Sequence, residues 1–141
     1  MADPLSVTAS VVGIVAAAVQ GVQLLSNTID KIRNAPEAVR SIQDEIQQLK
    51  PILTQLESAI NEGRSGLILG SEIKLALENC YRVCTKFSES LNHWMRHSTH
   101  NHMSMIDSAT IGFLRQDQIR TLKEQLNGCT KILSVTLDTA N

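Results

Sequence analysis

A chain of 141 residues is long enough for one domain whose core needs neither disulfide nor metal. With 43% hydrophobic and 19% charged residues it falls in the globular range, which excludes wholesale disorder. A formal charge of −1, with no run among the 13 Lys and Arg, excludes nucleic-acid binding through phosphates, and 3% aromatics argue against sandwiches and barrels.

The first predicted element is a helix over 5–33. Val11, Val15, Ala18, Val22, Leu25, Ile29 and Ile32 recur at alternating spacings of four and three, one stripe of a helix. Asn34 can cap the next helix, and Pro36 fits its first turn, where no amide donor is needed. That second helix, 36–61, carries the stripe Val39, Ile42, Ile46, Leu49, Leu53, Leu56 and Ile60. Its phase persists across Pro51, which predicts a kink and no stop. Residues 61–66 read as a loop. A third helix, 71–97, starts near Ser71 and buries Ile73, Leu77, Cys80, Cys84, Phe87, Leu91 and Trp94. The polar stretch 97–102 is a connection. The fourth helix, 116–138, has the stripe Ile119, Leu122, Leu126, Cys129 and Leu133. Asp107 to Thr110 either caps that helix early or opens a short separate one; the pattern leaves both open. The economical fold is all-α, an antiparallel four-helix bundle with long helices, one domain over 1–141. It is either free-standing or the N-terminal domain of a longer protein.

The first helix stands apart, with no charged residue from Pro4 to Ile29. An apolar run of that length can span a bilayer, yet Ser6, Thr8, Ser10, Gln20 and Gln23 make a poor lipid-facing surface. Ala9, Gly13, Ala17 and Gly21 recur every four residues, and small residues let two helices approach closely. Two readings follow: a buried core helix, or a helix that leaves the bundle for a membrane or an oligomer. No basic residue precedes the apolar run, and Asp3 is acidic, so it does not read as a signal peptide. An odd count of three cysteines without such a signal points to a reducing compartment, the cytoplasm.

The opening Met1-Ala2-Asp3-Pro4-Leu5-Ser6-Val7 with Val11-Val12-Gly13-Ile14 resembles fungal N-terminal domains of STAND (NOD-like) receptors and ankyrin-repeat proteins. The related domain of azaphilone-pigment cluster proteins opens in the same way. Asn34 to Arg40, Leu49 to Leu53, and the last helix from Gln118 to Val135 extend the resemblance over nearly the whole chain. The histidine-rich loop and Gly66 to Gly70 depart from it. The resemblance implies an effector or adaptor domain similar to HeLo-like cell-death bundles, in which an apolar N-terminal helix is released to disturb membranes. No motif-defined functional residue is carried over.

Chemistry is sparse. His93 and His97 have i, i+4 metal-ligand spacing, with His100 and His102 beyond, but no cysteine or carboxylate completes a set. Cys80, Cys84 and Cys129 occupy stripe positions, where thiols act as small hydrophobes. Trp94 and Met95 read as a core plug, and Met103 with Met105 as a soft apolar patch. No phosphate loop, nucleophile elbow or paired acid appears, so neither catalytic residue, cofactor nor metal is expected. Two functions remain. One is an interaction and signalling domain with protein partners, self-association or membrane lipid. The other is a bundle binding an apolar metabolite or lipid, as within a secondary-metabolite (pigment) pathway; a pocket between helices lined by Val19, Leu24 or Met105 would favour it, and a solid core the first.

Overall fold

The stripes named above are what the fold buries. The computed structural model describes residues 4–62, 71–95, 97–98 and 103–140, and is helical there, with no strand among the described residues. Its helices are α1 (Pro4–Asp30), α2 (Glu37–Arg40), α3 (Ile42–Asn61), α4 (Ser71–Trp94), α5 (Met105–Leu114) and α6 (Gln116–Ala140). Every stripe residue from Val15 to Ile32, Val39 to Leu56, Ile73 to Trp94 and Ile119 to Leu133 is buried in one shared core. Ile60 is half-buried against it, and the side chain of Val11 lies outside the described residues. The alternating four-and-three spacing thus marks the inward face of each long helix.

Local chemistry sets the ends. Pro36 stands one position before α2, in extended backbone, where its missing amide costs nothing. Asn34 does not cap that helix. Its amide instead donates to Met103 O at 2.7 Å and accepts from Met103 N at 2.6 Å, tying the α1–α2 turn to the segment before α5. The single helix expected over 36–61 divides at Ser41, whose hydroxyl donates to Ala38 O and accepts from Lys123 Nζ of α6 at 3.0 Å. Helix α3 then runs through Pro51, which is exposed, so its missing amide bond falls on the solvent side. Helix α5 is separate: the Ser104 side chain caps it by accepting from Asp107 N at 3.1 Å.

The long helices form a ring in which α1 packs on α4 and α3, and α6 packs on the same two. Each long helix reverses the direction of the one before it. Around the ring, however, neighbours are not all antiparallel. Gln43, at the start of α3, donates to Ser26 O at 3.1 Å and to Asp30 Oδ1 at 2.7 Å near the end of α1, so that pair is antiparallel. In α4 and α6, Cys129 Sγ lies 3.6 Å from Ala76 O while Trp94 sits beside Leu122, also antiparallel. Gly21 meets Tyr81, and Thr28 shares a hollow with Asn92, so α1 and α4 run parallel. The starts of α3 and α6 meet at Ser41 and Lys123, so they are parallel too. Consecutive α3 and α4 therefore lie on a diagonal of the ring. A helical stripe specifies a buried face but not its neighbour, which is why the pairing departs from the simplest antiparallel ring.

Candidate functional site

The sequence's singled-out stripe divides in two. Gly21 is buried, and a Cβ there would lie 3.2 Å from the Tyr81 ring and 3.4 Å from the Tyr81 backbone, so it serves the close approach of α1 to α4. Gly13 is exposed, with nothing within 4 Å of where its Cβ would be. Gly13 and Ala17 line an open hollow of about 1100 Å³ with Ile14, Leu75, Ala76 and Ile132, edged by Glu72, Glu78 and Arg82. Ala9 belongs to α1, but its side chain lies outside the described residues.

Around that hollow the surface is unusually apolar. Leu75 is 65% exposed and Tyr81 44%, both on α4, and Val12 and Leu24 are exposed on α1. The outward face of α1 adds Gln20, Gln23 and Asn27, so it carries no charge down to Asp30. Most water-facing helices carry charges on that side. Leu75 and Tyr81 lie off the inward stripe, so its periodicity does not point to them. Their signal was present: two large apolar residues off the stripe Ile73, Leu77, Cys80, Cys84.

The remaining candidates separate. His93 is on α4, whereas His97 lies beyond its end, so the pair does not share a helical face; His97 N donates to Asp107 Oδ2 at 2.9 Å. His100 and His102 lie outside the described residues. No group of three His, Cys, Asp or Glu is placed to hold a metal among the described residues. Asp107 is buried and accepts from His97 N and from Ser98 Oγ at 2.7 Å, while Ser98 Oγ accepts from Ser104 N. This knot joins the end of α4 to the cap of α5, a structural task. The three thiols are buried and free. Cys129 is raised above the ordinary thiol range by its hydrogen bond to Cys80 and by burial. Contact with Cys129 lowers Cys80, but Cys84 and burial push it further up. Such thiols stay protonated and inert near neutral pH.

Trp94 does plug the core, meeting Phe87 edge to face with centroids 5.4 Å apart. The Arg115 guanidinium lies 5.1 Å over the Trp94 ring, and its Nε is buried without a hydrogen-bond partner among the described residues. Met103 is buried, so the expected methionine patch reduces to Met105, 89% exposed, beside exposed Ile106. Val19 packs on the core, whereas Leu24 lines an open hollow between α1 and α4 with Thr28, Asn92 and Met95, so of the three residues expected to mark an inter-helix pocket Leu24 does so. Twelve large side chains, Leu25 and Leu126 among them, are fully buried.

These features define a helical-bundle domain with a buried core, buried thiols and an apolar outer face on α1 and α4. Over residues 2–141 the chain matches the family described as pigment biosynthesis cluster protein PigL N-terminal, and it belongs to that family. The match bears out the pigment-cluster side of the resemblance and does not reach the receptor side. No curated protein and no solved structure matches the chain.

Proposed function

We propose that this domain is a non-catalytic protein–protein interaction module working inside the cell, and that its binding face is the uncharged side of α1 with the adjoining start of α4. One observation carries this reading: exposed Leu75 and Tyr81 stand beside a hollow floored by Gly13 and Ala17, next to a helix face without charge. An apolar face of that kind, edged by Glu72, Glu78 and Arg82, is the pattern of a contact surface. Membership of a pigment-cluster family supports a role beside a biosynthetic pathway. Twelve fully buried large side chains weigh against a metabolite bound inside the bundle. An odd count of three cysteines, all buried, supports a reducing compartment.

A membrane reading has one observation in its favour. Within α1, Val12–Asp30 is the one stretch among the described residues long and apolar enough to cross a bilayer, with 39% of it buried. An interaction face needs no such exit, so it is the simpler use of the same surface.

The test is photo-cross-linking in the producing cell, with benzoylphenylalanine at position 75 or 24 and, as control, at exposed position 48 on α3. A defined protein adduct from 75 and 24 but not from 48 is expected. Equal adducts from all three, or none, would remove the face from consideration.

A further inference from the structure

We propose a second site: the seam between α4 and α6 binds a small planar aromatic carboxylate. Where the end of α4 passes the start of α6, an open groove of about 450 Å³ lies between them. That volume is within the range of small-molecule sites, which combine an apolar floor with few polar groups. The floor here is Val83, Phe87, Trp94 and Leu122. Phe87 and Trp94 are locked edge to face, so the floor is rigid and aromatic.

The walls differ in character. Arg82 and Lys86 rise from α4, four residues apart and therefore on one side of the helix. The α6 wall offers the amides of Gln118 and Gln125. Asp117 is the carboxylate among the lining residues, and it is paired with Arg120. The groove thus joins an aromatic floor to a net positive edge. An aromatic ring lies on the floor, and its carboxylate reaches the Lys86 ammonium, with an amide of α6 as second donor. A neutral aromatic compound lacks the second contact, and a basic one is repelled.

The experiment uses 2-naphthoate as probe and 2-naphthalenemethanol as its neutral counterpart. Trp94 is the single tryptophan of the chain, so one indole N–H resonance reports the groove. The expected result is a saturable shift of that resonance, with naphthoate about tenfold tighter than the alcohol, or 1.4 kcal/mol. Lys86→Glu should abolish the preference, and Thr121→Phe, which fills the groove, should abolish binding of both. Melting of each variant controls for folding. No saturable shift up to millimolar probe, equal binding of acid and alcohol, or unchanged preference in Lys86→Glu would each overturn the site. None of these outcomes bears on the α1 face.

Discussion

Asn34 shows how far a single residue can depart from its local sequence. Two residues before a proline it reads as a helix cap. In the fold its amide pairs with both backbone groups of Met103, 69 positions away, and leaves Pro36 to begin α2. No local pattern announces such a contact, because its partner is set by packing. Asp107 is the same case: it is a first-turn acid by sequence and a buried acceptor for His97 N and Ser98 in the structure. Removing both bonds with Asn34→Ala should destabilise the domain by about 1–2 kcal/mol. Asn34→Asp keeps the acceptor and loses the donor, so it should fall between wild type and alanine. Equal urea midpoints for all three proteins would show that the clamp contributes nothing.

Among elements, the inward faces were legible and the outward ones were not. Stripe residues such as Leu49, Leu53 and Leu126 are buried because a bundle has one interior, and periodicity points each helix at it. The small-residue stripe of α1 looked like one device because its spacing is uniform. Its members meet different surroundings, since α1 touches α4 closely at Gly21 and leaves Gly13 open. The two glycines should therefore respond in opposite directions. Gly13→Ala gains helix propensity with no clash and should stabilise by about 0.5–1 kcal/mol. Gly21→Val forces side-chain atoms against the Tyr81 backbone and should destabilise by about 1–3 kcal/mol. Thermal melting of the two single variants decides it. If both shift the same way, the close approach at Gly21 is not what separates them.

At the scale of the molecule, ring order was hidden because four similar stripes can pair in several ways. That order now bears on whether α1 can leave. The helix packs on both α3 and α4, burying Val15, Val22, Leu25 and Ile29 to 3% exposure or less. At about 1.5–3 kcal/mol for each such side chain, detaching α1 forfeits roughly 6–12 kcal/mol. Domains of this size are stable by only about 5–15 kcal/mol in total. Release of α1 is then close to unfolding the whole bundle, because the stripes of α3 and α4 would be exposed with it. A bilayer would have to supply that energy while accepting Gln20 and Gln23, whose amides are costly in hydrocarbon. The folded domain should therefore leave dye-loaded anionic liposomes intact at neutral pH. The amides of residues 15–29 should exchange with solvent no faster than the slowest ones in α3 and α4. Gln20 is exposed, so Gln20→Glu should preserve melting and serves as the discriminating variant. Dye release by the folded wild type, lost in Gln20→Glu at unchanged melting temperature, would establish α1 as a membrane element after all. Silence from both proteins, with uniformly slow exchange across α1, would confine the helix to the bundle and its uncharged side to protein contact.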